Sequence, residues 1–181
     1  MEIDVRPFGP AGTQDFFSLH STPPGECFCV FWWQEPGDDW SKVTAAENRA
    51  KREGLLARGE YDGYLAYADG RVVGWCQVGP RDRLGHLARR MKPDADAKVW
   101  AISCFYILPE MRRHGVATKL LDHALQELKA KGARVVQAYP RRGPLLTVDD
   151  MWNGPEPMLA RAGFIVVRDD PERPILEKRM G

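Results

Sequence analysis

An apolar segment at residues 99–108, followed by a short turn and an amphipathic helix, constrains the fold of this chain most strongly. Apolar side chains occupy both odd and even positions of the segment, so we predict a strand that is covered on both faces. Pro109 favours extended geometry at the residue before it. From Gly115 onward, apolar residues recur at spacings of three and four, the pattern of one buried helical stripe. We expect this helix to reach about Lys131 and Gly132 to end it.

The turn at residues 110–114 has the composition of an anion site. A helix N-terminus leaves about four backbone N–H groups without internal partners and carries about half a positive charge. Gly115 has no side chain that would block a close approach, and Arg112, Arg113 and Thr118 add donors. This pattern indicates a pyrophosphate site. The alternative is an ordinary strand–turn–helix unit with a solvated basic turn.

Two common phosphate loops are absent from the sequence. A P-loop ends in Lys-Ser/Thr after a longer glycine loop, and a Rossmann site needs the pattern G-x-G-x-x-G. Neither pattern occurs, which disfavours a nucleotide-binding α/β domain.

The segment Arg112-x-x-Gly115-x-Ala117 instead resembles the acetyl-CoA motif of the GNAT superfamily of N-acetyltransferases. That motif reads Gln/Arg-x-x-Gly-x-Gly/Ala and follows a central strand, as it does here. The resemblance implies the α/β (α+β) GNAT fold, a mixed and mostly antiparallel central sheet with one parallel pair of strands and helices on both faces. It also implies a single domain over residues 1–181.

The resemblance further implies how acetyl-CoA would be bound. Backbone N–H groups of residues 113–117 would hold the pyrophosphate, with Arg112 and Thr118 as side-chain donors. Backbone groups of residues 105–107 would pair with the pantetheine amides like an added strand. The cofactor-binding residues expected from the resemblance are Phe105, Tyr106, Ile107, Arg112, Arg113, His114, Gly115, Val116, Ala117 and Thr118.

The reaction implied is direct transfer in a ternary complex. A neutral amine would attack the thioester carbonyl, with backbone N–H donors stabilising the developing oxyanion. The protein must remove one proton from the amine and supply one to the departing thiolate. A non-catalytic acyl-CoA-binding or regulatory module of the same fold is the alternative.

Candidates for the proton transfers depart from the superfamily pattern. Many members carry a tyrosine as general acid on the helix after the second parallel strand, but residues 156–162 contain none. Tyr139 is the nearest replacement, unless it fills the core or a wall. Cys104 and Ser103 on the central strand are further candidates, and Cys104 could carry a relaying acetyl group. Glu35 is a candidate base acting through water.

The acceptor is expected to be a small-molecule amine of unidentified chemistry. Residues 27–33 form a dense β-branched and aromatic run that predicts a buried strand or a pocket wall. Trp32 and Trp33 would point to opposite faces, so that one lines a cavity, or both fill the core. These residues and Trp152 favour an aromatic or apolar acceptor, whereas nearby acidic residues such as Glu35 favour a cationic one. The acidic residues are Glu35, Asp38, Asp39, Asp149 and Asp150, and the expected substrate-binding residues are Trp32, Trp33, Glu35 and Trp152.

Charge and cysteine content limit the classes of partner and metal that we expect the protein to bind. The 26 basic and 25 acidic residues are balanced, so nothing favours bulk attraction to nucleic acid or to a membrane. The N-terminus lacks the features of a signal peptide, and we expect a cytoplasmic protein with no nucleic-acid or membrane partner. The four cysteines are expected to be reduced and, lacking zinc-site spacing, to bind no metal. A homodimer is left open.

The rest of the chain supplies the remaining elements of such a fold. Residues 81–98 read as a polar, basic connection that forms either a short helix near the cofactor or a solvated face. The other predicted elements are a strand in 1–10, a helix at 14–20 capped by Thr13, a helix at 44–58 with a capping box, a hairpin of 61–68 and 71–78, a strand at 133–139, a loop over the site at 140–155, a helix at 156–162 and a closing hairpin of 164–167 and 174–178.

Overall fold

The strands form one mixed sheet in the computed structural model, which describes residues 2–91 and 98–181. The strands are β1 (Ile3–Pro7), β2 (Tyr64–Ala68), β3 (Arg71–Pro80), β4 (Val99–Ile107), β5 (Val135–Ala138), β6 (Ile165–Arg168) and β7 (Ile175–Arg179). Their order across the sheet is β1-β2-β3-β4-β5-β7-β6. β4 and β5 are parallel, and the other neighbouring pairs are antiparallel.

Five α-helices accompany the sheet in this part of the chain, and local sequence signals explain where several elements begin and turn. The helices are α1 (Thr13–His20), α2 (Ala45–Ala57), α3 (Gly85–Met91), α4 (Val116–Ala130) and α5 (Glu156–Arg161). The predicted capping box of α2 is present, because Thr44 Oγ1 accepts from Glu47 N and the Glu47 carboxylate accepts from Thr44 N. Asp69 and Gly70 both have positive φ, as the tight turn of the β2–β3 hairpin requires. Thr13 is the first residue of α1 and not its cap.

Helices cover both faces of the sheet. Gly74 and Trp75 are adjacent on β3, so they face opposite sides. A Cβ at Gly74 would lie 2.9 Å from Val116 Cγ1 and 3.4 Å from Leu120 Cδ1, both on α4. The Trp75 ring contacts Phe16 of α1, with centroids 4.8 Å apart. The predicted mixed fold, with one parallel pair and helices on both faces, is therefore confirmed.

The apolar stripe of α4 anchors this helix on the sheet. Leu120, Leu121 and Leu128 are fully buried, and burial of each leucine side chain contributes roughly 1.5–3 kcal/mol. The N-terminus of α4 is thereby held at the end of β4.

β4 and β5 pair over only part of β4. Residues 99–102 pair with residues 135–138, whereas β4 continues to Ile107. Over residues 103–107, the β5-facing edge of β4 therefore has no strand neighbour in the described part of the chain. This open edge is the feature of the sheet that positions the site.

The predicted strand at residues 27–33 is wrong. The segment consists of 3₁₀ turns at Gly25–Cys27 and Phe31–Trp33, and Phe28 and Cys29 between them have φ of 44° and 53°. Left-handed backbone cannot continue a strand. The buried guanidinium of Arg52 donates to the carbonyls of these two residues, at 3.0 and 2.7 Å, in place of a strand partner.

The basic connection is helical in the part that is described. Leu84, Leu87 and Met91 are buried, as a helix packed on the protein requires, and α3 carries the last two. The prediction for residues 92–97 lies outside the described residues. Among the helices that are described, none has both the length and the apolar character needed to cross a membrane.

Candidate functional site

A cleft of about 670 Å³ follows the open edge of β4. It joins three groups of residues that are separate in the sequence. The helix end comprises Arg112, Arg113, Gly115, Val116, Ala117 and Thr118. The strand floor comprises Cys104, Phe105, Tyr106 and Ile107. The aromatic end comprises Phe31, Trp32, Trp40 and Trp152, with Arg90, Arg141 and Arg173 beside them.

The helix end presents exposed backbone donors. Gly115 caps α4 with φ of 81°, and a Cβ built on it would meet no atom within 4 Å. Arg113 also has positive φ, 63°, a conformation that costs a non-glycine residue roughly 1–3 kcal/mol and concentrates at functional sites. The first N–H groups of α4 have no partner within the helix. The space above Gly115 can therefore admit an anion to them.

Arg112 connects the helix end to the rest of the cleft. Its Nη2 lies 2.7 Å from Asp149 Oδ1, in the loop after β5, and its Nε donates to the Ile107 carbonyl at 3.4 Å. An anion at the helix end would compete with Asp149 for this guanidinium. The His114 ring instead lies 2.8 Å from the Arg112 carbonyl, and His114 lies outside the cleft lining.

The strand floor offers main-chain groups at alternate residues. Ser103 O accepts from Trp32 Nε1 at 3.2 Å and from Asn153 Nδ2 at 2.8 Å, and Phe105 N donates to Trp152 O at 2.5 Å. Odd-numbered residues of β4 therefore direct their main chain into the cleft.

Tyr106 lies between Phe105 and Ile107 on β4. Neighbouring residues of a strand direct their main-chain groups to opposite edges, so those of Tyr106 point toward β3, while Phe105 and Ile107 are the predicted backbone contacts that face the cleft. The Tyr106 side chain lines the cleft, and its hydroxyl donates to Thr22 O at 3.0 Å.

Two buried thiols, Cys29 and Cys104, line the cleft beside the floor. We call them the thiol pair. The hydrogen bond from Cys104 to Cys29, and then burial, raise the pKa of Cys104 well above its usual value. Burial alone would raise the pKa of Cys29, but the Cys104 thiol, the Arg52 charge and the Trp75 indole together lower it. The pKa values of the pair are therefore pushed apart.

The Trp75 indole is one of the groups that lower the pKa of Cys29. Its Nε1 is fully buried and forms no hydrogen bond to any described atom. A buried donor of this kind is stabilised by negative charge on the sulfur.

The sequence pattern did not identify Cys29 or Arg52 as site residues. The strand predicted at residues 27–33 would place the Cys29 side chain on the same face as that of Cys27. The available signal was Arg52 itself, which lies three and four residues before Leu55 and Leu56 on the buried face of α2.

The aromatic end brings Trp32 and Trp152 together, with ring centroids 5.7 Å apart. Phe31 lies 5.2 Å from Trp152. The Arg173 guanidinium lies 5.7 and 5.8 Å from the Trp32 and Trp152 ring centroids, a cation–π distance. Arg173 also donates to Asn153 Oδ1 at 3.0 Å. These contacts make a flat apolar surface with a cation at its edge.

Besides His114, three predicted site residues lie outside the cleft. Tyr139 is fully buried among apolar neighbours that include Leu84 and Leu87, its hydroxyl donates to Gln137 Oε1 at 2.9 Å, and burial raises its pKa far above the usual value. Glu35 is exposed in a turn that Asp38 closes. Trp33 lies over the Arg52 guanidinium at 5.3 Å. The structure therefore places Tyr139, Glu35 and Trp33 away from the cleft, and Cys104 is the predicted catalytic residue that lines it.

Metal chemistry finds no support in the side chains. Within residues 2–91 and 98–181, no group of three or more His, Cys, Asp or Glu is arranged to hold a metal ion.

Comparisons with known proteins agree with this geometry. The model of the acetyltransferase (GNAT) family matches residues 13–142. A search of curated proteins found no match.

Three solved structures illustrate the likeness in fold. A GNAT-family protein from Desulfovibrio desulfuricans is 14% identical, with TM-score 0.61 and coverage of 99% of this chain and 100% of that one. PaiA N-acetyltransferase from Thermoplasma acidophilum, solved with coenzyme A, is 16% identical, with TM-score 0.59 and 99% coverage of both chains. The ribosomal-protein-S18-alanine N-acetyltransferase from Escherichia coli is 11% identical, with TM-score 0.57 and coverage of 99% and 95%. At these identities the likeness establishes the fold.

Proposed function

This chain belongs to the acetyltransferase (GNAT) family and is an acyltransferase, and we propose that it moves the acetyl group of acetyl-CoA to a small-molecule amine. The transfer would be a direct attack within a ternary complex. The observation that carries the proposal is the cleft. It runs from the open N-terminus of α4, along the free edge of β4, to the aromatic end. The single-domain organisation, the cytoplasmic location and a homodimer stay predictions from the sequence.

The helix end fits the pyrophosphate of acetyl-CoA. Backbone N–H groups of residues 113–117 would bind the phosphate oxygens, and the absence of a side chain on Gly115 leaves the approach open. Arg112 and Thr118 would add side-chain donors. The solved complex of the PaiA enzyme with coenzyme A supports this choice of cosubstrate.

The strand floor fits the pantetheine arm. Phe105 N already donates to a carbonyl from the cleft side, that of Trp152, which shows that an amide oxygen can reach this N–H. Pantetheine amides would bind Phe105 and Ile107 in the same manner, as an added strand does. The Trp152 carbonyl would then release Phe105.

The thiol pair can carry the proton transfers. Acetyl-CoA supplies the acetyl group and a thiolate leaving group. Cys29 would take the proton that the attacking amine loses, and Cys104 would give its proton to the departing sulfur. The proton on Cys29 would then pass to Cys104, so that the pair returns to its starting state. Groups whose pKa values are pushed apart are suited to this division of roles.

The pKa shifts of the thiol pair disfavour the two alternatives. A relay in which Cys104 carries the acetyl group needs a ready Cys104 thiolate, whereas the pKa of this thiol is raised. A purely binding module has no need of a buried thiol pair with divergent pKa values.

The direct test is thiol release from acetyl-CoA with a panel of small amines, on the parent protein and on single variants. We expect Cys104→Ala and Cys29→Ala each to lower kcat by about 100-fold or more, the usual contribution of general acid–base groups. Cys76→Ala is the matched control, because Cys76 is equally buried but lies outside the cleft. Its kcat should stay near that of the parent.

Two results would overturn parts of the proposal. Tight acetyl-CoA binding without turnover of any amine would favour the binding module. Full activity of both cysteine variants would remove the thiol pair from the mechanism. Intact-mass measurement during turnover is expected to show no acetyl adduct on the chain.

A further inference from the structure

We propose that the acceptor amine carries an anionic group, a carboxylate or a phosphate, which Arg90, Arg141 and Arg173 bind at the aromatic end of the cleft. The inference rests on the proposed function, since it names the class of acceptor for the same site. An anionic acceptor is the opposite of the cationic one that the acidic residues of the sequence favour.

The three arginines stand at a junction of two cavities. They line the aromatic end of the cleft and also a second cavity of about 480 Å³ beside it. Among the described residues, these three arginines line both cavities and the others line at most one. An acceptor lying against the tryptophans would therefore extend its far end between the guanidinium groups.

Arg173 is held at a fixed place relative to the strand floor. Asn153 Oδ1 accepts from Arg173 at 3.0 Å, and Asn153 Nδ2 donates to Ser103 O at 2.8 Å. Ser103 precedes Cys104, so a single asparagine side chain separates this guanidinium from the part of β4 that carries Cys104. That separation suits a compact acceptor with its amine near the thiols and its anion near Arg173.

Among the described residues at the junction, positive charge is in excess. Arg142 binds Glu156 and Asp169, and Arg141 binds Asp150 at 2.8 Å. Arg90 and Arg173 form no ion pair with another described residue. Glu172 is the other described carboxylate that lines the second cavity. Burial, and then the charges of Arg90 and Arg141, lower the pKa of Arg173 to about 10. An anion at the junction would relieve this repulsion.

The acidic residues that suggested a cationic acceptor do not create an opposing field at the aromatic end. Glu35, Asp38 and Asp39 lie outside the cleft. Asp149 lies at the cleft, but it is paired with Arg112 at the helix end. Guanidinium groups recognise carboxylate and phosphate oxygens with paired hydrogen bonds, and Trp32 and Trp152 supply flat walls for the part of the acceptor between amine and anion.

The test compares amino acids with their own amides, and includes 2-aminoethylphosphonate as the phosphate-like probe. For the parent protein, we expect kcat/KM to be about 10- to 100-fold higher for carboxylate or phosphonate amines than for the neutral amides. The carboxylate and phosphonate arms distinguish the two kinds of anion. Calorimetric titration of the same probes into the CoA-saturated protein measures binding without turnover.

Arginine variants locate the effect. Arg173→Met and Arg90→Met should raise KM for the anionic amine by about 10-fold or more, with KM for acetyl-CoA unchanged and the preference for the anionic amine over its amide lost. Arg161→Met is the matched control, because Arg161 is exposed and lies outside both cavities. Arg90 is itself exposed, so its variant keeps the test valid if Arg173→Met folds poorly.

The outcomes separate this inference from the proposed function. Turnover that favours neutral or cationic amines would overturn the anion site and leave the acetyltransferase intact. A rise in KM for acetyl-CoA in the arginine variants would also overturn it, since the arginines would then bind a cofactor phosphate. Failure of every probe to turn over, with normal acetyl-CoA binding, would count against the proposed function, and the titrations would still decide whether the anion binds.

Discussion

The two ends of the cleft are built in different ways. The helix end comes from one short stretch, within residues 112–118, and offers mainly backbone N–H groups. The aromatic end comes from segments around Trp32, Arg90, Trp152 and Arg173, and offers side chains. A group common to all reactions of the family can be bound by backbone geometry that one short motif encodes. The part of the substrate that differs between enzymes is contacted by side chains that only the tertiary fold assembles.

The two ends also depend on different supports. The helix end rests on α4, whose apolar stripe is buried against the sheet. The wall behind the aromatic end, residues 27–33, has no strand partner and is held through buried polar groups, chiefly Arg52. The wall should therefore be the part of the site most sensitive to substitution of buried polar residues.

The largest effect expected from this difference is that of Arg52→Met. The substitution leaves the carbonyls of Phe28 and Cys29 and the amide oxygen of Gln77 without their donor. Loss of charged hydrogen bonds to buried groups should lower the free energy of unfolding by roughly 2–4 kcal/mol, measured by urea denaturation. Arg58→Met, an exposed change at the end of the same helix, should cost less than about 0.5 kcal/mol.

Acetyl-CoA affinity sharpens the same comparison. Folded Arg52→Met should bind acetyl-CoA within a few-fold of the parent, because the helix end does not depend on the wall. A loss of affinity as large as the loss of activity would contradict the independence of the two ends.

A smaller effect is expected from pH, through His20. This ring is fully buried under the wall, 4.1 Å from the Phe16 ring centroid, and burial lowers its pKa to about 3. The unfolded chain takes up the proton near pH 6.5 and the folded chain does not, so stability is full above that pH and declines as the pH falls toward 3. We expect a loss of about 2 kcal/mol between pH 6.5 and 5.

Replacement of this histidine isolates its contribution. His20→Phe should flatten the dependence of the free energy of unfolding on pH over this range. An unchanged slope in the variant would show that other groups cause the decline.

The smallest effect is expected at the helix end, from Asp149→Asn. Removing this carboxylate frees Arg112 for a phosphate. Since the Asp149 side chain is 59% exposed, the ion pair is screened and the gain in acetyl-CoA affinity should stay below about 5-fold. Calorimetric titration of acetyl-CoA at low and high salt measures this gain. Weaker binding in the variant would contradict the idea that Asp149 competes with the phosphate for Arg112.

Local chemistry explains what the sequence could predict. The capping box at Thr44, the turn at Asp69 and Gly70, and the anion turn before α4 each depend on residues within a few positions of one another. The acetyltransferase fold followed from the last of these together with the strand and helix around it.

Remote contacts explain what the sequence could not predict. Residues 27–33 have strand composition, but a guanidinium from α2 satisfies their carbonyls, which no local pattern shows. Tyr139 directly follows β5 and is buried in the core, a burial that its position in the sequence did not reveal. The meeting of Arg90, Arg141 and Arg173 depends on the whole topology, and for this reason the sign of charge at the aromatic end was the least predictable property of the site.

The central claim is that backbone N–H groups at the start of α4 bind the pyrophosphate of acetyl-CoA. The direct measurement is calorimetric titration of acetyl-CoA into the parent protein, Gly115→Asn and Gly115→Glu. Asparagine tolerates the left-handed conformation and should keep affinity within about 10-fold of the parent. Glutamate places a carboxylate against the phosphates and should weaken binding by about 100-fold or more, equivalent to about 2.7 kcal/mol. Binding of acetyl-CoA to Gly115→Glu as tightly as to the parent would contradict the claim.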